Sequence, residues 1–310
     1  MSADFEAIHA FARPDVPDLD SEVGFDVRAY ARNPQELRRT DIDLTQFSTR
    51  PLAPATVRAI THLAGAERHT IRLLRDVLVT PSHREARVTA FLTTWAYEQY
   101  WIGDTLEAIL EANGTVRARR PGILPTVRKA IGDRTLPMYN ALTTNLIGDD
   151  FVASHMVRGL LDTLVCRLAY HRLAALDSRP ELVQLVARIR SVKAPHVAFY
   201  ELQAHERLAH SPRSRRLTRL ALNLLWSWPG SRYEDRATTS AVVRHLLGDP
   251  SCRALVAEVD DRIADLPGLT GVDPLRGAVA RYGLGRGVPS HTVPISPAQF
   301  AGPTTAKTRR

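Results

Sequence analysis

The sequence predicts an all-α protein, a ferritin-like four-helix bundle with additional helices at its carboxy-terminal end. Three observations predict it. Apolar residues recur at helical spacing over four segments of about 25–30 residues, well above the ordinary helix length. No stretch alternates apolar and polar residues as a half-buried strand would, and no internal repeat suggests a solenoid. Glycine and proline gather near the chain ends and between the apolar segments.

Residues 1–52 carry Pro14, Pro17, Pro34 and Pro51 without a sustained period, which reads as an irregular arm with short helical turns. The bundle is expected over 53–211. Its first helix runs from about Pro54 to Val79. Ser82 followed by Glu85 has the pattern of a capping box, in which each side chain takes an amide at a helix start. The second helix continues from there to Asn113 and Gly114, a common C-terminal stop. "RARRPGILP" follows as a basic linker, then shorter helical pieces up to "GDD" at 148–150. The third helix spans about Phe151 to Leu176. Ser178 with Glu181 gives a second capping box, and Pro180 falls in the first turn, where its missing amide does no harm. The fourth helix runs to about His210. Three or four shorter helices are expected over 212–282, packed on the bundle, and a Gly/Pro-rich extended tail over 283–310. Two closely linked helix pairs with one long crossover between them is ferritin-like wiring.

The chain has 310 residues, 44% of them apolar and 24% charged, enough for a substantial core. Cys166 and Cys252 lie in helix-like contexts without metal-ligand spacing and read as buried free thiols, which suits a reducing cytoplasm. The amino-terminal stretch is acidic and lacks a basic start followed by an apolar run, so no signal peptide is expected. The longest apolar stretch, "LALNLLWSW", is too short to cross a bilayer. A formal net charge of +8 permits acidic partners without selecting one. Nucleic acid is not expected, because no recognised module is present and the aromatics do not interleave with the basic residues. There is no nucleophile–base–acid constellation, phosphate-binding glycine loop or zinc motif.

At 95–106 the residues become specific. "WAYEQYWIGDTL" resembles the segment of acyl carrier protein desaturases with the pattern W-x-x-E-E-x-x-H-G-D-x-L, and Trp95, Glu98, Gly103, Asp104 and Leu106 fall in register. Residues 174–200 are similar to that family's fourth bundle helix, which ends in D-E-x-x-H-E-x-x-Y; His196 and Tyr200 match without a gap. The resemblance implies a ferritin-like bundle, a di-iron centre, homodimerisation and carrier-bound acyl chains as substrate.

Iron in such a bundle needs a carboxylate from each of two helices and a Glu-x-x-His pair from each of the other two. The family's pair on the second helix falls on Gln99 and Ile102, and that on the fourth on Lys193 and His196. The third-helix carboxylate lands near Leu160, with Asp162 close by; the first helix offers Glu67 in "GAERHTIRLL". Isoleucine cannot ligate iron, nor can a protonated lysine, so no metal cofactor is expected and desaturation chemistry is expected to be lost. Glu201 with His205 and Glu206 with His210, each four apart, read as pairs on a solvated helix face.

His196 lies on both apolar stripes of its helix and is expected to point inward. Lys193 is expected to pair with Glu67 or Glu98, since a buried charge needs an opposite partner. Glu98 and Gln99 compete for one inward position. Trp95, Tyr97, Tyr100 and Trp101 read as packing, and Pro195 should kink or loosen its helix. Arg213, Arg215, Arg216 and Arg219 sit on a basic amphipathic helix that either caps the bundle or docks an acidic partner, an acyl carrier protein if the resemblance holds; such helices also bind anionic lipid. The leading expectation is a metal-free relative that binds an acyl chain or another apolar ligand between helices. The alternatives are a di-iron oxidase or oxygenase with shifted ligands (Glu67, Glu98, Asp162, His196), and a partner-binding protein acting through the basic helix.

Overall fold

The structure, a computed structural model, describes residues 24–70, 74, 85–115 and 150–284. The protein is all-α, with about ten helices and no strand among the described residues. In chain order they are α1 Val27–Arg32, α2 Thr45–Thr49, α3 Pro54–Arg68, α4 Ala86–Ala112, α5 Asp150–Leu176, α6 Pro180–His210, α7 Pro212–Leu225, α8 Arg236–Leu247, α9 Cys252–Ala264 and α10 Pro274–Val279. None is long and apolar enough to cross a membrane.

The helix ends follow local chemistry. Asp26 accepts the amides of Arg28 and Ala29 to start α1, Ser211 that of Ser214 to start α7, and Asp235 that of Thr238 to start α8. Gly114 ends α4 in the left-handed region at φ 73°, a conformation that favours glycine. There the Asn113 side chain also accepts the Leu52 amide at 2.6 Å, tying the arm to the helix end.

The expected capping box at Ser178 and Glu181 does not form. Arg179 is the N-cap residue of α6 and makes no side-chain cap, while Pro180 occupies the first turn as expected. Proline needs no amide partner, and Arg179 instead reaches the Asp177 carboxylate at 2.8 Å and the Arg50 carbonyl at 2.7 Å. At the start of α4, Glu85 is the N-cap residue without a side-chain cap. The first helix, expected to run to about Val79, ends instead at Arg68, where His69 is the C-cap residue and its amide bonds the Gly65 carbonyl at 3.1 Å. Ser82, the linker and helical pieces over 116–149, and the tail from 285 onward lie outside the described residues.

α3 packs along α4 and α5 along α6, and these two pairs meet through α3–α5 and α4–α6 contacts. α5 is the central helix, touching α3, α6, α7, α8 and α9, which is why it has residues buried all around rather than along one stripe. α6 runs through Pro195 without ending. The described part of the arm carries short helical turns and joins the same core, through Val27, Leu37, Phe47 and Leu52. Residues from α8, α9 and α10 belong to that core too.

Candidate functional site

Four helices each send one polar side chain to a common point. Lys193 of α6 and Glu67 at the end of α3 are 0% and 2% exposed. The Lys193 ammonium lies 2.9 Å from one Glu67 carboxylate oxygen and 3.1 Å from the other, and donates to the Gln99 side-chain oxygen of α4 at 2.7 Å. Tyr170 of α5 donates its hydroxyl to Glu67 at 2.8 Å, and its ring centre lies 5.9 Å from the ammonium. The pair is thus tied down by further hydrogen bonds on both sides, the condition under which a buried ion pair is tolerable.

A second cluster surrounds Glu98, which is fully buried. One carboxylate oxygen accepts from the Tyr30 hydroxyl at 2.5 Å and lies 2.6 Å from His196 Nε2; the other accepts the Gln35 amide at 2.7 Å. Burial holds the His196 pKa below its usual range, against the pull of Glu98. Burial first, and Glu98 second, pushes the Tyr30 phenol well above its own. A neutral His196 donating from Nε2 leaves Nδ1 as a bare lone pair, and Nδ1 has no hydrogen-bond partner. Glu98 and Gln99 therefore do not compete for one inward position. Both are inside, because the arm covers α4 on one side and α6 covers it on the other.

A cavity of about 480 Å³ opens beside the first cluster, with Glu67, Gln99 and Lys193 on its wall. Leu222 and Trp226 line it from α7 and the loop that follows, and that loop continues over it through Trp228 and Gly230. The loop is held from below. His62 Nδ1 lies 2.7 Å from the Glu234 carboxylate and its Nε2 2.8 Å from the Pro229 carbonyl, while the Trp226 indole donates to Asp162 at 2.8 Å. Gly230 has φ 84°, and a Cβ there would meet the His62 ring at 3.0 Å. Also on the cavity wall, burial raises the Asp162 carboxyl and the Cys166 thiol and brings the His155 imidazole down to about 4.

The residues at the expected ligand positions do not fit a pair of iron ions. The Lys193 ammonium engages both oxygens of Glu67, Glu98 already receives three donors, and Ile102 and Leu160 are fully buried apolar side chains. Asp162 bonds Trp226 rather than joining Glu67. Among the described residues no three His, Cys, Asp or Glu side chains come together as a metal site would need. Of the two four-apart pairs, Glu201 takes the Arg262 guanidinium at 2.7 Å with each oxygen, and His210 lies against the Glu206 carbonyl.

The arginines of α7 divide. Arg215 donates to the Leu208 and Ala209 carbonyls, and Arg219 to those of Gly268 and Thr270. Arg213, 65% exposed and 3.5 Å from Asp150, and Arg216 face outward. Sequence reasoning missed Tyr30, Gln35 and Tyr170. Tyr170 carried a usable signal, an aromatic with a polar tip on a long inward helix; the two arm residues carried none. No protein-family model, curated protein or solved structure matches this chain.

Proposed function

We propose that this chain is a ferritin-like bundle akin to acyl carrier protein desaturases, and that it binds an acyl chain or a similar elongated apolar molecule instead of oxidising one. The observation that carries the reading is the cavity of about 480 Å³ with Glu67, Lys193 and Gln99 on its wall. That volume lies within the range of small-molecule sites, roughly 300–1,000 Å³. Leucine and tryptophan side chains supply an apolar lining, worth ~0.8 kcal/mol for each methylene removed from water. The polar cluster offers fixed charges against which a ligand's polar end can be oriented. A lysine where the resemblance places an iron ligand supports a binding role over a desaturating one.

The test is organic extraction of the purified protein with mass spectrometry of the extract, followed by titration with a fluorescent fatty acid. Co-purified acyl species and saturable binding are expected. Ala221→Trp, which adds bulk to the lining, should weaken binding about tenfold or more while leaving the helical signal intact. No extracted ligand and no saturable binding would sink the reading.

A second reading rests on the outer face of α7. Leu220, Leu224 and Leu225 are 45%, 47% and 66% exposed, close to the exposed Arg213 and Arg216. That combination suits an acidic protein with an apolar contact strip, and an acyl carrier protein is the candidate. Calorimetry with a carrier protein should give binding that reverses to none in Arg213→Glu/Arg216→Glu; equal binding by both proteins would remove this reading.

A further inference from the structure

Two cations of the long helices line the cavity, and they differ in how well they are matched. The Lys193 ammonium is 0% exposed, and three acceptors, both Glu67 oxygens and the Gln99 side-chain oxygen, answer its three N–H groups. Arg158 of α5 has a 35% exposed side chain. The carboxylate that faces it, Asp162, stands 3.5 Å from its Nε, beyond the roughly 2.7–2.9 Å of a good charge-assisted hydrogen bond, and Nε makes none. Asp162 is also a shared counter-ion. It accepts from the Trp226 indole at 2.8 Å, and Arg232, another wall residue, acts on the same carboxyl.

Tyr200 of α6 brings a neutral donor to the same part of the wall. Gly159, the residue after Arg158, lets its ring lie against α5: a Cβ there would meet Tyr200 Cζ, the carbon that bears the hydroxyl, at 2.6 Å. Burial first, and the Asp162 charge second, keeps that phenol protonated and therefore able to donate.

A carboxylate loses more on leaving water than a neutral head group does, so an apolar cavity prefers it only where a counter-charge waits. We infer, on the acyl-binding reading above, that the ligand is a free fatty acid whose carboxylate is taken by Arg158 with the Tyr200 hydroxyl beside it. The chain then lies along Leu222, Leu225 and Trp226 of α7 and the loop that follows. Partial exposure of Arg158 suits a head group, which keeps some of its hydration while the chain goes further in. A carrier-bound thioester or a fatty alcohol has no charge at that end and would leave Arg158 as loosely matched as it is.

The experiment uses the full chain stripped of bound lipid. Calorimetry at about pH 7.5, where a carboxyl is ionised, compares decanoate with decanol, two probes of equal chain length. Decanoate should bind about tenfold more tightly or better. Arg158→Met should abolish that preference while leaving decanol binding within about twofold of the wild type. Decanol bound as tightly as decanoate would overturn the carboxylate site and leave the acyl-binding reading standing. A preference kept in Arg158→Met would overturn it too, because the head would then lie elsewhere. Binding of neither probe would remove the acyl-binding reading, and the carboxylate site with it. Should Arg158→Met fail to fold, carboxyl-labelled decanoate bound to the wild type decides by carbon-13 NMR. Its carboxyl should titrate at lower pH than the free acid in water, and titration at the same or a higher pH would overturn the site.

Discussion

The two buried clusters use neighbouring residues of α4 in opposite ways. Gln99 helps to hold an ion pair that borders a cavity, whereas Glu98 sits in a closed knot that fastens the amino-terminal arm. The first gathers side chains from α3, α4, α5 and α6; the second gathers the arm, α4 and α6. One cluster is placed where a ligand could reach it, and the other fixes the backbone that covers it. The lesson is that a polar core can hold both a site and its scaffold within a single helical turn.

The largest expected effect comes from breaking the ion pair on one side. Lys193→Met leaves the Glu67 carboxylate buried with Tyr170 as its remaining donor, and should cost about 3–5 kcal/mol in urea unfolding. Adding Glu67→Leu to that variant removes the stranded charge and should recover most of the loss. A single variant as stable as the wild type would mean that Lys193 does not neutralise Glu67.

Next in size is the response to acid. His155, on the cavity side, has its pKa lowered to about 4 by burial, and His196, in the knot, is lowered in the same direction. An unfolded histidine takes up a proton as the pH falls past about 6.5, while the folded one does so only at lower pH. Their contribution to stability is therefore complete above about 6.5 and is lost as the pH falls toward the folded pKa, up to ~3 kcal/mol for His155. Asp260 opposes this, since burial pushes its carboxyl up to about 6 and its share of stability is lost as the pH rises. The measurement is accordingly a difference between wild type and variant. Stability curves from pH 7 to about 4.5 should be flatter for His155→Gln and for His196→Gln. Parallel curves would show that neither histidine is held neutral by the fold.

Tyr30→Phe tests the knot more gently. It removes one hydrogen bond to a buried carboxylate and should cost about 1.5–3 kcal/mol. Amide exchange should quicken over α1 and Gln35 while that of α5 stays slow. A uniform change across the molecule would mean that the knot does not fasten the arm in particular.

Most of the long helices were legible because apolar spacing and breakers dictate them: α5 and α6 start and end within one or two residues of the positions expected from the sequence, whereas α3 ends at Arg68, well short of the expected Val79, at a turn on His69 that no glycine or proline announces. Burial of Lys193 and His196 was legible for the same reason, and so was the Lys193–Glu67 pairing as one of two options. What the sequence could not display was the third dimension of the choice. It treated Glu98 and Gln99 as rivals because a periodic stripe has one inner side, while α4 has cover on two. Tyr30 and Gln35 reach the knot across more than sixty residues of chain, from an arm without periodicity. The Ser178–Glu181 motif matched its pattern, but Arg179 found better partners in Asp177 and the Arg50 carbonyl, and no motif encodes that tertiary competition.

The smallest expected effect concerns α7, where charge was legible and its use was not. Four arginines within seven residues look equivalent in sequence, yet Arg215 and Arg219 spend their donors on backbone carbonyls of the same protein. Arg213 and Arg216 remain outward, and Arg213 makes a loose 3.5 Å contact with Asp150. An exposed ion pair of that kind contributes little, so Arg213→Ala/Arg216→Ala should shift Tm by about a degree or less. Arg219→Ala, which strands the carbonyls of Gly268 and Thr270, should lower it by several degrees. Were the outward pair to destabilise as much as Arg219, α7 would be held by all its arginines as a cap. None would then be spare for a partner.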